Sequence, residues 1–512
     1  MINFLVNLTI SLLKTISVAR AIFTSFGIAI LVGSFGIYFS ETSLSFVDSF
    51  YLSASAFCVT GLSPVPVSKL NLFTQVLIMI YIQIGGLGII LFTVIIGSLV
   101  VRGLSRNTEV QDFISQVLDT DVNDKKSSSE RAKISRLILS ILNITLTIEV
   151  IGAIILYNTF PEEIPGDVSR VFLSIFTSIS AFNNAGFSIL DDLSFTKTYL
   201  KSIYTISILI IMGGIGYPVI IFIEKFLLHL LHKIFSYLEI LGETHLMRKA
   251  ILGEEPSPIY FLFTKLSLWS DERIEAYNQS LSGESSKAQT NIILYGSLIL
   301  LFLGTGFILL LEFNNIKTLG NLNLSEKVAN ALLISASART AGFSTFNMAD
   351  IQDPSVVLII TLMFIGGGPQ GTAGGIKLTT FAILVVYLSN VVNSGSKISI
   401  FGYTISKRSV SMSIRLYFLA TSTLATIIFL LSMLHENNNQ LNQIAFEVVS
   451  AFSTVGFSLG FTDRVSDLEK IIYAMLMFVG RIGIFTVLIA VTGNSISSPI
   501  GNDDDGLKIQ VG

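Results

Sequence analysis

Four short runs constrain any fold open to this chain: SAFCVTGLS at 55–63, SAFNNAGFS at 180–188, ASARTAGFS at 336–344 and SAFSTVGFS at 450–458. Each is small and polar, ends in Gly-(Leu/Phe)-Ser, and lies between long apolar stretches. A second landmark accompanies them. Each motif glycine is followed by another glycine at near-constant distance: 24 residues from Gly61 to Gly85, 27 from Gly186 to Gly213, 24 from Gly342 to Gly366 and 24 from Gly456 to Gly480. Two landmarks repeated in step predict one structural unit used four times.

The stretches between the copies identify the solvent. Apolar runs of roughly the 20 residues needed to cross a hydrocarbon core centre near Ile30, Ile90, Ile144, Ile210, Leu300, Ile360 to Val386, Ile427 and Phe478, eight in all. With 51% hydrophobic and 13% charged residues, the composition is that of a membrane protein. Lys14 and Arg20 precede the first run, but no small-residue cleavage site follows, so it is read as a mature helix and not a secretory signal. The single cysteine, Cys58, excludes an intramolecular disulfide framework and argues against a cysteine-ligated metal.

Basic residues fall in every second connection: Lys14 and Arg20; Arg102, Arg106, Lys125, Lys126, Arg131, Lys133 and Arg136; Lys225, Lys233, Arg248 and Lys249; Lys377, Lys397, Lys407, Arg408 and Arg415. The positive-inside tendency makes these connections cytoplasmic, with both termini inside. The other gaps carry Glu41, Asp48, Glu162, Glu163, Asp167, Asp191 and Asp192, or are nearly neutral, and face out.

The unit is therefore an apolar helix, a stretch of about 20 residues too short to cross, the glycine motif and a second apolar helix. An irregular segment at membrane depth is tolerated only where it lines a watery cavity, so the motif is expected to be re-entrant. Glycine there permits backbone angles that aim carbonyl oxygens inward, replacing the hydration shell of a cation. Four such walls make a ring. The expected fold is an all-α integral membrane protein of four tandem membrane-pore-membrane repeats, eight spanning helices plus four re-entrant pore helices around one central pore. Its walls would be Val59, Thr60 and Gly61; Asn184, Ala185 and Gly186; Thr340, Ala341 and Gly342; and Thr454, Val455 and Gly456. The divisions expected are 1–100 (first repeat), 101–230 (linker and second), 231–290 (cytoplasmic connection), 291–390 (third), 391–495 (fourth) and 496–512 (cytoplasmic tail).

These four segments, with FIGGGPQGTAGGIK at 364–377 and MFVGRIG at 477–483, resemble the Trk/Ktr/HKT superfamily of potassium transporters over roughly residues 20–492. The resemblance implies potassium uptake across the cytoplasmic membrane, K+ as the transported ion and Na+ as a candidate activator. In that superfamily serine at the first filter glycine goes with sodium and glycine with potassium; this chain has Gly61. Lacking an extra N-terminal helix pair, the chain looks like the Ktr-type subunit, which implies a homodimer on a ring of cytosolic nucleotide-binding regulatory subunits and no nucleic-acid partner. The resemblance further implies that Gly366, Gly367, Gly368, Gly371, Gly374 and Gly375 form an intramembrane gating loop. Two departures stand out: Cys58 occupies a place where the family more often has a hydroxyl, and the 232–290 connection, with IYFLFTKLSLWSDERIEAYNQS, is longer than a Ktr subunit leads one to expect.

Ionisable groups at membrane depth are expensive and call for partners. Arg481, where the other repeats carry glycine, offers five donors and is expected to hold exposed carbonyls of the 366–375 loop. Arg339 aligns with Cys58, Asn183 and Ser453. A fixed charge there would repel a cation at 4 Å by about 4 kcal/mol at an effective dielectric of 20, so an ion pair with Glu447 is expected behind the filter, supporting it. Glu149 and Glu312 read as structural carboxylates.

Other function classes fit less well. GGGPQGTAGG lacks the Lys-(Ser/Thr) ending of a phosphate-binding loop. His229, His232, His245 and His435 have no matching ligand set, which argues against an enzyme. A secondary transporter of another solute predicts inverted repeats, whereas these four run in one direction. A structural subunit of a pump leaves the four motifs unexplained, and a sodium-conducting member of the same superfamily is the nearer alternative.

Overall fold

The computed structural model describes residues 18–103, 127–162, 164, 168–190, 194–251, 265, 284–393, 398–435, 440–492, 507 and 509–511. It is predominantly helical. The order is α1 (Val18–Ser40), α2 (Phe46–Phe57), α3 (Leu72–Gly103); α4 (Ser127–Thr159), α5 (Arg170–Phe182), α6 (Leu200–Gly214), α7 (Tyr217–Ile251); α8 (Glu284–Glu312), α9 (Leu324–Ser337), α10 (Asp353–Phe364), α11 (Leu378–Val392); α12 (Lys407–Leu434), α13 (Leu441–Phe452), α14 (Asp467–Ile482) and α15 (Ile484–Thr492). A two-residue ribbon, β1 (Ser399–Ile400) with antiparallel β2 (Tyr403–Thr404), precedes α12.

Among the described residues, four helices are long and apolar enough to cross a membrane, or six if the bent pairs α6–α7 and α14–α15 each count as one span. Only about a third or less of each long window is buried by the protein itself. The remainder turns outward as large apolar side chains, among them Phe39, Phe302 and Leu310. Such faces match a hydrocarbon solvent, and the chain is a multi-pass membrane protein.

The eight expected apolar runs are all helical, but three of the second helices are not straight. The α6–α7 pair bends by 114° around Ile215–Gly216 and α14–α15 by 101° at Gly483. Between α10 and α11 the helix is interrupted altogether by residues 365–377. Both bends fall on a glycine with φ above +90° or at it (Gly216 +90°, Gly483 +94°), a conformation helices do not contain.

Several helices are fixed at their starts by side-chain caps. Ser45 caps α2 by accepting from Asp48 N, and capping boxes open α9 (Asn323 with Glu326) and α14 (Ser466 with Glu469). Each short helix packs against a later or earlier neighbour in a cycle: α5 on α3, α9 on α6, α13 on α10, and α2 on α14. Lys470 Nζ on α14 donates to Asp48 Oδ1 on α2 at 2.6 Å, tying the last group to the first. The amphipathic-looking segment within 259–280, apart from Lys265, and Arg106, Lys125, Lys126 and Lys397 lie outside the described residues.

Candidate ion site

The short helices α2, α5 and α13 stop at the third residue of their motifs and α9 one residue earlier, and the backbone then repeats one unusual shape. Val59 (φ +59°), Asn184 (+59°), Thr340 (+89°) and Thr454 (+52°) are left-handed, although three are β-branched. Two residues on, Gly61 (+97°), Gly186 (+68°), Gly342 (+70°) and Gly456 (+94°) are left-handed again. A β-branched residue in that region costs on the order of 1–2 kcal/mol, so the surrounding structure must impose it. The serines do part of this. Gly61 N and Gly456 N donate to Ser55 Oγ and Ser450 Oγ, both at 3.1 Å, while Ser180 Oγ donates to Phe187 O at 2.8 Å. Ala336 fills the same place in the third copy, where Gly342 N instead donates to Ser337 O.

The four glycines close on one another. A Cβ on Gly61 would strike Ala185 O and Gly186 Cα; on Gly186, Ala341 O and Gly342 Cα; on Gly342, Val455 O and Gly456 Cα; and on Gly456, Thr60 O and Gly61 Cα. In each case the first contact is inside 3.0 Å, closer than real Cβ atoms come. The order 61, 186, 342, 456 and back to 61 is a ring, with the carbonyls of Thr60, Ala185, Ala341 and Val455 set between its members. Because four helix C-termini end at this ring, each brings roughly half a negative charge to it. Carbonyls and helix ends of that polarity favour a cation.

The second landmark has its own reason. A side chain on Gly85, Gly213 or Gly480 would run into Phe57 O, Phe182 O or Phe452 O, the last carbonyl of α2, α5 or α13. These glycines let the second helix abut the end of the short helix. Gly366 differs, since it meets Gly374 O of the 365–377 loop.

That loop lies against the ends of α5, α6 and α13. Gly368 N and Thr372 N donate to Gly214 O and Gly213 O (3.0 and 3.2 Å), Thr372 Oγ1 donates to Phe182 O (3.4 Å), and Gly374 has no room for a side chain beside Thr454 Oγ1. Gly367 and Gly371 pack on Gly214 and Gly216, and Gly375 (φ +66°) rests on Ser453. Arg481, buried on α14, donates to Thr372 O of the loop and to Gly85 O (2.7 Å) and Gly86 O (3.3 Å) of α3. Its partners among the described residues are carbonyls.

The model of the TrkH family, described as cation transport protein, matches residues 20–250 and 288–497. The chain belongs to that family. It is 30% identical over 484 residues, 93% of each chain, to the potassium/sodium uptake protein NtpJ of Enterococcus hirae. It is likewise 30% identical over 453 residues to the Ktr system potassium uptake protein B of Vibrio alginolyticus, covering 88% of this chain and 85% of that one. The crystal structure of the potassium transporter TrkH from Vibrio parahaemolyticus shares the fold, with a TM-score of 0.63 and 17% identity over 91% of this chain and 83% of that one. These are transporters and not enzymes.

Within this TrkH-family chain the expected Arg339–Glu447 pair is corrected. Among the described residues Arg339 makes no ion pair, and its Nε has no partner. It lines a small cavity with Asn184, Ile210, Gly214, Ser297 and Gly367. Glu447, fully buried on α13, accepts instead from Thr462 Oγ1. Arg339 thus shares its cavity with Asn184 of the second wall and Gly367 of the loop.

Sequence reading missed a buried polar cluster. Asn183 Nδ2 donates to Glu149 Oε1 (2.9 Å) and Gln83 Oε1 (3.0 Å), and Gln83 Nε2 donates to Glu149 Oε2 (3.1 Å). Three hydrogen bonds thus join α3, α4 and the second motif. Glu312 is held similarly, accepting from Ser355 Oγ (2.5 Å), Gln352 N (2.9 Å), Thr318 Oγ1 (2.7 Å) and Asn315 Nδ2 (2.6 Å). The signal available was Gln83, the polar residue preceding Gly85-Gly86.

Proposed function

We propose that this chain is a potassium uptake protein of the Ktr type, built as four membrane-pore-membrane repeats around one central pore. The observation carrying this reading is the closed ring of Gly61, Gly186, Gly342 and Gly456 with its four intervening carbonyls. K+ is dehydrated there by Val59–Gly61, Asn184–Gly186, Thr340–Gly342 and Thr454–Gly456, and the left-handed pairs of residues hold the carbonyls in place before the ion arrives. Resemblance in sequence to Ktr and potassium/sodium uptake proteins supports the ion assignment.

Below the filter the 366–375 loop is the gate, and Arg481 is its fastening. A guanidinium bonded to Thr372 O as well as to α3 holds the loop closed while placing positive charge in the path of a cation. In this reading the chain sits in the cytoplasmic membrane with both termini inside, forms a homodimer in which each pore is complete within one chain, and works with a cytosolic nucleotide-binding regulatory subunit that moves the loop. Lys407, Arg408 and Arg415 lie on the side such a subunit would meet. Na+ acts as an activator.

Rubidium and potassium uptake in a strain stripped of its own uptake systems, with and without a candidate regulatory subunit, tests the reading. Saturable uptake raised by the regulator is expected, with sodium competing weakly. Sodium taken up in preference would support the sodium-conducting alternative, and uptake of neither ion would overturn the assignment.

A further inference from the structure

Residues 507 and 509–511 have no part in that reading, yet they reach the loop. Leu507 extends the ribbon: its N–H donates to Thr404 O (2.8 Å) and its carbonyl accepts from Ser406 N (3.0 Å), in a parallel bridge with Ile405. Ser409 Oγ on α12 both donates to Ile509 O (3.2 Å) and accepts from Ile509 N (3.1 Å). Leu507, Ile509 and Val511 join an apolar cluster with Ile292, Ile383 and Val410. This anchor fixes Gln510 between three elements. Its carbonyl accepts from Thr379 Oγ1 on α11 (2.8 Å), and its side-chain oxygen accepts from Gln289 Nε2 on α8 (3.4 Å) and from Gln370 Nε2 of the loop (2.9 Å).

Gln370 is no ordinary loop residue. It is the loop's one non-glycine residue with left-handed φ (+60°), and its carbonyl accepts from Tyr217 N at the α6–α7 bend (3.4 Å). Whatever holds the Gln370 side chain therefore holds the turn of the loop against that bend.

We propose that residues 507 and 509–511 are a latch on the intramembrane loop and that Gln510 is the positioning residue acting through Gln370; this rests on the 366–375 loop being the gate. The anchor of backbone bonds and apolar contacts is larger than the bond it positions. The segment consequently moves as a unit, and lifting Leu507 and Ile509 from the ribbon withdraws Gln510 from the loop. A change imposed near β1, β2 and the start of α12 is thereby transmitted to the gate without touching the filter.

The test is rubidium influx into proteoliposomes holding the full chain. Gln510→Ala and Gln370→Ala should each raise basal influx about two- to tenfold, the range a neutral hydrogen bond sets, and the double variant should rise no further than the larger single. In a chain with part of GGGPQGTAGG deleted, basal influx should already be high and Gln510→Ala should add nothing. As a readout independent of those substitutions, a Gln370→Cys/Gln510→Cys chain should lose influx on oxidation and regain it on reduction. If the loop deletion raises influx but neither glutamine variant does, or the cross-link forms without effect, the latch is overturned and the gate stands. Additive glutamine effects, or an undiminished Gln510→Ala effect in the deleted chain, likewise overturn it. Unchanged influx in the deleted chain sinks the gate reading and the latch with it.

Discussion

Gly480 shows how much one hydrogen atom carries here. Its missing side chain is the space taken by Phe452 O, so α14 rests on the end of α13. Gly480→Ala should push the fourth wall out of the ring. The expected result is a loss of about 1–3 kcal/mol of stability, typical of overpacking, read as a lower melting temperature in detergent, together with at least tenfold slower rubidium uptake. Glu149 makes the opposite kind of prediction, one of subtraction. Glu149→Leu leaves Gln83 Nε2 without its acceptor at membrane depth and removes one acceptor from Asn183 Nδ2, at about 1–3 kcal/mol for a stranded group. It should melt earlier than Glu149→Gln, which keeps a carbonyl oxygen in place. The order reversed would mean that the cluster is not what holds these groups. The glycines of both landmarks were legible in the sequence, because only glycine tolerates that backbone and that closeness. The partner of Arg339 was not. Spacing fixes how deep a residue lies on its wall, whereas a pair also requires facing the same neighbour.

Elements were legible as apolar runs and illegible as straight or broken helices. Ile210 and Phe478 centre hydrophobic stretches that read as uninterrupted spans, yet each stretch turns through more than 100°. The punctuation was present in Gly214-Ile-Gly-Tyr-Pro218 and Gly480-Arg-Ile-Gly483. It went unweighted because glycine is common in membrane helices. The break at 365–377, by contrast, was plain from its density of glycine and proline. The bends serve the loop: Gly216 at φ +90° sits where an added Cβ would lie 2.5 Å from Pro369 O. Gly216→Ala should therefore dislodge the loop from α6–α7 and raise basal rubidium flux about tenfold while leaving the potassium-to-sodium ratio alone, since the ring is untouched. A change in that ratio with no change in basal flux would separate the bend from the gate.

At the scale of the molecule, the four groups are held together by a side-chain tie as well as at the glycine ring. Burial by itself would raise the Asp48 carboxyl, but hydrogen bonds from Lys470 and Ser45 and the charge of Lys470 outweigh it and hold it below the ordinary 3.8. A carboxyl lowered in the folded state adds stability above its unfolded pKa and loses it as pH falls through the folded value. The Asp48–Lys470 tie should thus be at full strength near neutrality and fade below about pH 4. Being partly exposed, it is worth at most about 1 kcal/mol. Lys470→Met should melt slightly below the parent at pH 7, and the gap should narrow as pH falls through the folded Asp48 value; a gap that does not change with pH would rule out the titration of Asp48 as its origin.

That same tie joins residues 422 positions apart, and Gly456 meets Gly61 across nearly as long a span. During synthesis the first wall is made early and stands beside an empty place until the last quarter of the chain has entered the bilayer. Non-local contacts of this kind are slow to form. A chain released before residue 456 holds three walls and an open side, so the ring cannot close until the fourth motif is made. The order of the motifs along the chain makes closure of the ring a late event.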